Sequence, residues 1–125
     1  MIDPTVAVAP SAQVGSYDKT VSIVSDKRIP IHVQVTDDKG RVSDRQLVIE
    51  ERLEIGRSPE CGLVLTDSAV SQRHTLLRAE GGKLTAQDIG STNGTLLYGQ
   101  PLKGAASLLS GSVLKLGNTT LTIRY

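Results

Sequence analysis

Short apolar runs separated by turn residues fill the sequence after Pro30, and this pattern restricts the possible folds more than any other feature. Apolar and polar residues alternate in the runs Ile31–Val35 and Leu121–Tyr125. In an extended strand such alternation turns one face toward a core. Residues suited to tight turns lie between the runs, at Asp38–Gly40, Gly81–Gly82, Asn93–Gly94, Ser110–Gly111 and Gly117–Asn118. The pattern therefore predicts strands joined by hairpins.

The same runs define where the strands are expected. They predict strands at Ile31–Asp37, Arg45–Glu50, Leu53–Gly56, Leu63–Thr66, His74–Ala79, Lys83–Asp88, Thr95–Tyr98, Ser112–Leu116 and Thr119–Arg124. The stretch Lys103–Leu109 has no clear strand or turn signal and is too short and weakly patterned for a helix. This spacing of strands is typical of an all-β sandwich or barrel.

Two parts of the chain differ in composition. Residues 1–28 are rich in Pro, Ala, Ser, Thr and Val without a sustained period, which predicts a flexible N-terminal tail, although Val21–Val24 is an alternative edge strand. Residues 29–125 then form one domain, and a chain of 125 residues is long enough for one modest core.

The charge balance excludes several classes of partner. Lys and Arg number 14 against 13 Asp and Glu, so the formal net charge of +1 offers no field that would attract nucleic acid or an acidic membrane. Aromatic residues make up 2% of the sequence, with no Trp or Phe, so base-stacking platforms are missing. No apolar run approaches the roughly 20 residues of a membrane helix. The single cysteine, Cys61, forms no internal disulfide, and we expect a cytoplasmic protein.

Three short motifs occur in order at predicted strand ends or in loops: Gly56–Ser58, Ser71–His74 and Asp88–Thr95. Together they resemble the signature of the forkhead-associated (FHA) domain, and the resemblance extends over Ile31–Tyr125. It implies a single β-sandwich of about 11 short, mostly antiparallel strands with functional loops at one end. It also implies a module that binds phosphothreonine peptides and has no catalytic activity, metal or cofactor.

The resemblance also assigns the site residues. It places the phosphate contacts on Arg57, Ser71 and Thr92, and the contacts to the peptide backbone on Asn93 and Gln72. The chemistry of these side chains agrees, because a guanidinium satisfies two phosphate oxygens at once and hydroxyls donate to others. An Asn side chain has both an acceptor and a donor for one extended peptide residue.

Supporting roles fall on Gly56, His74 and Gly94. Gly56 is expected to let the backbone bend beside Arg57, and the His74 ring to brace the loop that holds Ser71. A catalytic pair of Ser71 and His74 is the competing interpretation. It lacks a positioned acid and a Gly-x-Ser-x-Gly nucleophile elbow, so we predict that the protein is not an enzyme.

Simpler roles exist for several of these residues. An isolated Arg57 would be read as a surface arginine in a salt bridge, and Asn93–Gly94 is a type I′ turn signal by itself. Ser91 is expected to stabilise its loop. His32 is expected to be solvated, and Cys61 to be a surface or half-buried residue without metal-binding partners.

The sequence departs from the FHA pattern at two positions. Gln72 stands where the family often has Arg or Asn, and Tyr98 stands where an Asn commonly precedes the glycine. Selection at the third residue after the phosphothreonine is expected from Ser68–Val70 and Gly117–Thr119, which are small and uncharged. We therefore expect an aliphatic or undemanding preference there.

The predicted function is phosphothreonine-dependent binding of a partner protein downstream of a Ser/Thr kinase. Thr5 or Thr20 of the tail, once phosphorylated, would be an internal ligand of the same site or of a neighbour's. The alternative is a phosphate-independent assembly or scaffold domain that uses the same fold.

Overall fold

The computed structural model describes residues 27–125, which form eleven strands. The strands are β1 Arg28–Thr36, β2 Val42–Glu50, β3 Arg52–Gly56, β4 Leu63–Val64, β5 Thr75–Glu80, β6 Lys83–Asp88, β7 Thr95–Leu97, β8 Gln100–Pro101, β9 Ala106–Leu108, β10 Ser112–Leu116 and β11 Thr119–Arg124. Residues 1–26 lie outside the described part, and with them the predicted tail, the alternative strand Val21–Val24, Thr5 and Thr20. None of residues 27–125 forms a helix that could cross a membrane.

The strands pair in the order β8-β7-β10-β11-β1-β2-β3-β5-β6-β9, with β4 beside β3. Between β2 and β3 the ladder consists of the single pair Glu50 and Arg52, and the chain passes there from one layer of the sandwich to the other. All pairs are antiparallel except β3 with β4. The expected all-β sandwich is confirmed.

The two ends of the sandwich hold different strand ends and loops. At one end the last residues of β3, β6 and β10 lie beside the first residues of β5, β7 and β11, as the pairs Thr75 with Asp88 and Leu116 with Thr95 show. We call this the loop end, since it carries all three motifs. The opposite end, which we call the far end, holds the start of β1 and the end of β11.

The core consists mainly of Leu, Ile and Val side chains from both layers, and the sequence has no Phe or Trp to add to it. The alternation predicted for β1 is correct, since Ile31, Val33 and Val35 are all buried. The prediction that Tyr125 faces the core is wrong, because its side chain is 40% exposed. Tyr125 follows the last paired residue of β11, and its hydroxyl donates to the Leu108 carbonyl at the rim.

Two strands were missed from the sequence. Gln100–Pro101 and Ala106–Leu108 are too short to show a period, and β9 lies within the stretch that gave no signal. Both are held by pairing with longer strands, β8 with β7 and β9 with β6. Tertiary pairing thus creates strands that local sequence does not specify.

Candidate functional site

The loops that carry the motifs are joined by backbone hydrogen bonds at the loop end. Arg57 N donates to the Ser71 carbonyl at 3.0 Å, and Ser58 N donates to the Gln72 carbonyl at 3.0 Å. These two hydrogen bonds connect the loop before β5 to the segment after β3. This pairing brings Arg57 beside Ser71.

Gly56 is required at the end of β3 because another backbone approaches it closely. A Cβ atom at this position would lie 2.2 Å from the Gln72 carbonyl oxygen. Its φ does not fall in the left-handed region, so the expected bend is not the reason for the glycine. Gly56 supports the site by admitting the loop that contains Ser71 and Gln72.

Arg57 is exposed, and its guanidinium is held from one side. Nε donates to the Val70 carbonyl at 2.5 Å. Among residues 27–125 no acceptor takes the two terminal nitrogens and no carboxylate lies within salt-bridge distance, whereas Arg28, Arg52 and Arg73 all form ion pairs. The described structure thus gives no support to the salt-bridge interpretation of Arg57. The oriented guanidinium therefore has its two terminal nitrogens available for an anion.

Ser71 and Thr92 lie side by side. The Ser71 hydroxyl oxygen accepts a hydrogen bond from Thr92 N at 3.0 Å. Its own proton remains available for an acceptor outside the protein. Thr92 is exposed beside it.

His74 is fully buried and links two loops through both ring nitrogens. Nδ1 accepts from Ser71 N at 3.0 Å, which leaves the proton on Nε2 to donate to the Gly94 carbonyl at 2.8 Å. A ring engaged on both sides has no lone pair to activate a nucleophile. The geometry is that of a structural histidine and does not suit a catalytic pair with Ser71.

Asp88 organises the loop between β6 and β7. Its Oδ1 accepts from the Ser91 hydroxyl at 2.5 Å and the Thr95 hydroxyl at 2.7 Å, and its Oδ2 accepts from Gly90 N and Ser91 N. Burial raises the pKa of Asp88, but the hydrogen bonds led by Ser91 outweigh it and hold the pKa below the ordinary 3.8. Ser91 also accepts from Gly94 N, which gives it the stabilising role expected of it.

Asn93 is exposed next to these groups, and its side chain is oriented by the neighbouring loop. Nδ2 donates to the Ala69 carbonyl at 2.8 Å, which leaves Oδ1 as an acceptor for a ligand. Gly94 has a φ of 79°, while Asn93 does not have a positive φ. The predicted type I′ turn at Asn93–Gly94 is therefore wrong, because that turn needs a positive φ at both residues.

The type I′ turn occurs instead between β7 and β8. Tyr98 has a φ of 49° and Gly99 a φ of 81°, and Leu97 pairs with Gln100 across them. Asn tolerates the left-handed region far better than Tyr does. This explains why an Asn at position 98 would suit the FHA pattern.

Gln72 contributes its backbone more than its side chain to the described structure. Its carbonyl accepts from Ser58 N and from the Cys61 thiol, and its side chain is exposed. Cys61 is buried, which corrects the expected surface or half-buried position, and burial, then the charge of Glu54, raises the pKa of its thiol. Arg73 is held outside the site by Glu54 and Glu60.

Asp67 is a further residue that organises these loops, and it lies in none of the three sequence motifs. It is 3% exposed and accepts hydrogen bonds from Ala69 N, Asn118 N and the Thr119 hydroxyl. An Asp that starts a turn is a recognisable signal, because its side chain often binds the backbone two residues on. The signal does not reveal the two partners on another loop.

Other features lie away from these loops. His32, predicted to be solvated, is half-buried on β1 with Nε2 3.3 Å from the Asp44 carboxylate. A shallow cavity of about 620 Å³ at the far end is lined by Pro30, Gln46, Val48 and Arg124, among others. Residues 27–125 contain no cluster of His, Cys, Asp and Glu that would hold a metal ion.

Several solved structures have a similar arrangement of strands, and several curated proteins are similar to this chain in sequence. A structure described as an analysis of phosphothreonine-dependent FHA domain interactions matches with a TM-score of 0.64 and 29% identity, over 77% of this chain and 96% of that one. The N-terminal FHA domain of Saccharomyces cerevisiae Rad53p, in complex with a phosphothreonine peptide, matches with a TM-score of 0.67 and 27% sequence identity. The match covers 77% of this chain and 93% of that one. FhaB of Mycobacterium tuberculosis is 32% identical over 87 residues, which are 69% of this chain and 56% of FhaB. The chain spans about half the length of the curated relatives it matches.

A family model described as the cytoplasmic domain of the inner membrane component of T3SS, Yop-YscD, matches residues 37–125. The chain belongs to this forkhead-associated family. In this FHA domain the loop end brings Arg57, Ser71, Thr92 and Asn93 together, and backbone hydrogen bonds place Gln72 beside them. FHA domains are interaction modules.

Proposed function

We propose that this FHA domain binds a phosphothreonine segment of a partner protein through the loop end. The observation that carries the proposal is the state of Arg57. Its Nε is fixed on the Val70 carbonyl while its terminal nitrogens have no acceptor among residues 27–125. Such a guanidinium is oriented for an anion from outside the protein.

The groups around Arg57 suit a phosphate monoester. The phosphate carries about −1.5 to −2 charges at neutral pH and several strong acceptor oxygens. The guanidinium takes two of these oxygens, and the hydroxyls of Ser71 and Thr92 donate to the others. Recognition is local, which agrees with a net charge of only +1.

The peptide around the phosphothreonine lies next to Asn93 and Gln72. The free Oδ1 of Asn93 accepts from a backbone N–H of the ligand, and the exposed Gln72 side chain offers a further amide. Ala69 and Gly117, which touch each other, border the place for the third residue after the phosphothreonine. Small uncharged walls favour an aliphatic side chain there.

A Ser/Thr kinase creates the ligand, and a cytoplasmic setting supplies both kinase and partner. The tail residues Thr5 and Thr20 are candidate internal ligands, to be tested by kinase treatment of a T5A/T20A variant. If that variant loses the kinase-induced change in partner binding, the tail is the ligand. An unchanged response assigns the ligand to another protein.

The alternative of a phosphate-independent assembly domain has less support. It gives no reason for the convergence of Arg57, Ser71 and Asn93, or for a guanidinium whose terminal nitrogens have no acceptor among residues 27–125. Nothing in the geometry of the loop end requires catalysis. The domain acts as an interaction module, and the kinase that creates its ligand is a separate protein.

The first experiment measures binding of an oriented phosphothreonine peptide library by fluorescence anisotropy, with phosphoserine and unphosphorylated controls. Arg57→Ala should weaken binding about a hundredfold, since two charge-assisted hydrogen bonds are lost. Phosphoserine should bind about fourfold more weakly if the γ-methyl group contributes about 0.8 kcal/mol.

The matched control is Arg78→Ala, which removes the same charge from an exposed position on β5. Its affinity should stay within about twofold of the wild type, because a surface charge away from the site contributes little. Absence of phosphate-dependent binding by the folded wild type would contradict the proposal.

A further inference from the structure

Residues Asp67–Val70 form a tight turn before Ser71, here named the Asp67 turn. Val70 N donates to the Asp67 carbonyl at 3.0 Å, and Ala69 N donates to Oδ1 of Asp67 at 2.9 Å. The side chain and the main chain of Asp67 therefore close the turn together. This geometry fixes the direction of the two carbonyls that follow.

Those two consecutive carbonyls hold two different parts of the proposed site. The Ala69 carbonyl accepts from Nδ2 of Asn93, and the Val70 carbonyl accepts from Nε of Arg57. The phosphate-binding cation and the peptide-binding amide thus depend on one four-residue turn. If the turn rotates, both side chains lose their orientation.

The other carboxylate oxygen anchors the turn to the loop between β10 and β11. Oδ2 of Asp67 accepts from Asn118 N at 2.7 Å and from the Thr119 hydroxyl at 3.0 Å. The loops are in direct contact, since a Cβ atom on Gly117 would lie 2.9 Å from Cβ of Ala69. Asp67 is thus the connection between the turn and the opposite layer of the sandwich.

We propose that Asp67 is a positioning residue of the phosphopeptide site, whose carboxylate orients Arg57 and Asn93 through the Asp67 turn. The proposal rests on the proposed function and adds a residue that touches no ligand. A carboxylate is needed because three donors converge on it, and only a group with two acceptor oxygens satisfies them all. An Asn at this position would replace one of the two oxygens by an NH2 group, which cannot accept the hydrogen bonds made there.

The ionisation of Asp67 agrees with this role. Burial raises its pKa, but the hydrogen bonds from Ala69, Asn118 and Thr119 outweigh burial and keep the pKa below 3.8. The group is therefore a charged acceptor at neutral pH. Orientation before binding improves affinity, because less freedom is lost when the ligand arrives.

The test is Asp67→Asn, with Ser112→Ala as the matched control. Ser112 is also buried and accepts a hydrogen bond from a backbone N–H, that of Leu109, but it lies at the far end. We expect Asp67→Asn to weaken phosphothreonine-peptide binding about tenfold, the effect of losing about 1.4 kcal/mol of orientation, and Ser112→Ala to stay within twofold. Both are measured at a temperature at which each variant is fully folded.

A second readout separates positioning from a loss of stability. In nitrogen-15 NMR spectra without ligand, the signals of Arg57 Nε–H and of the Asn93 side-chain amide report the two bonds to the Asp67 turn. We expect both signals to shift and to exchange faster with water in Asp67→Asn, and to stay unchanged in Ser112→Ala. Because no ligand is present, this readout stands even if the phosphothreonine proposal fails.

Should Asp67→Asn fail to fold, Thr119→Val decides the matter, since it removes one donor to Asp67 at nearly constant volume. It should weaken peptide binding about threefold and shift the same two NMR signals by a smaller amount. Folded variants with wild-type affinity and unchanged Arg57 and Asn93 signals would overturn the proposal.

Discussion

The loop end and the far end of the sandwich differ in the kind of residue that is buried there. Of the six buried polar residues among residues 27–125, five lie at the loop end, namely Asp67, His74, Thr75, Thr95 and Thr119, whereas the sixth, Ser112, lies at the far end. The far end is closed by branched aliphatic residues such as Ile29, Ile31 and Ile123. Buried hydrogen bonds are thus concentrated at the loop end, which carries the proposed binding site, and aliphatic packing dominates at the far end.

Aliphatic packing excludes water, but it is not directional. It stabilises the far end without fixing any loop, and it leaves a shallow cavity there. Hydrogen bonds have defined directions, so buried ones hold a loop in one arrangement. The chain places them where Arg57, Ser71 and Asn93 must be oriented.

The largest expected effect comes from breaking the polar bracing at its centre. His74→Leu leaves Ser71 N and the Gly94 carbonyl unpaired in a buried place, which should lower the free energy of unfolding by about 3 kcal/mol. Urea denaturation measures the change. The matched far-end variant Ile123→Val should cost only about 1 kcal/mol. Equal losses of unfolding free energy in the two variants would show that the buried hydrogen bonds of His74 stabilise the protein no more than aliphatic packing at the far end does.

A smaller effect is expected from pushing two segments of the loop end apart. Gly56→Ala places a Cβ against the Gln72 carbonyl and should cost about 2 kcal/mol, together with a loss of phosphopeptide affinity. Gly62→Ala is the control for binding, because its Cβ would lie 2.8 Å from Cγ of the Leu53 side chain and would not push against the loop that contains Gln72. If both glycine variants behave alike in denaturation and binding, the close approach at Gly56 is not important.

Acid should weaken the loop end before the far end. The pKa of Asp67 is lower in the folded protein than the ordinary 3.8, so its contribution to stability is complete above that pH and is lost as the pH falls through the folded pKa. Urea denaturation from pH 6 to pH 2 should show the stability advantage of wild type over Asp67→Asn shrinking only in the acid range. Contributions of Asp37 and Asp88 cancel in this difference.

Ser112→Ala provides the reference for this pH series. Its stability difference from wild type should stay constant over the same range, because a serine hydroxyl does not titrate there. A constant difference for Asp67→Asn as well would mean that the carboxylate is not used as a charged acceptor.

The smallest effect is expected outside the site, at the β7–β8 turn. Tyr98→Asn relieves a left-handed φ of 49° and should raise stability by about 0.5 kcal/mol. Tyr98→Phe removes only the weak, exposed hydrogen bond to the Gly111 carbonyl and should change little. A destabilised Tyr98→Asn would show that the tyrosine ring has a packing role that outweighs the strain.

Local patterns in the sequence were sufficient for most of the strands. Alternation located β1 and β11, because their faces differ in burial at every second residue. The motifs located the loops of the site through their resemblance to the FHA pattern. β8 and β9 were missed, since two or three residues held by tertiary pairing have no period of their own.

Features that depend on neighbours distant in sequence were not predictable. Two of the three partners of the Asp67 carboxylate, Asn118 and Thr119, lie 51 and 52 residues further along the chain. The need for Gly56 arises from Gln72, and the type I′ turn was expected at Asn93–Gly94 because the pair fits that turn so well. Composition identifies residues that are able to adopt a conformation, and packing decides which of them do.

The bond between Asp67 and Asn118 leads us to expect an order of folding during synthesis. A nascent chain that ends before β10 already contains Arg57, Ser71 and Asn93, but it has no anchor for the turn that orients two of them. Contacts between residues so distant in sequence form late, because a long loop must close first. The emerging domain should therefore become able to capture its ligand only when its last hairpin has left the ribosome.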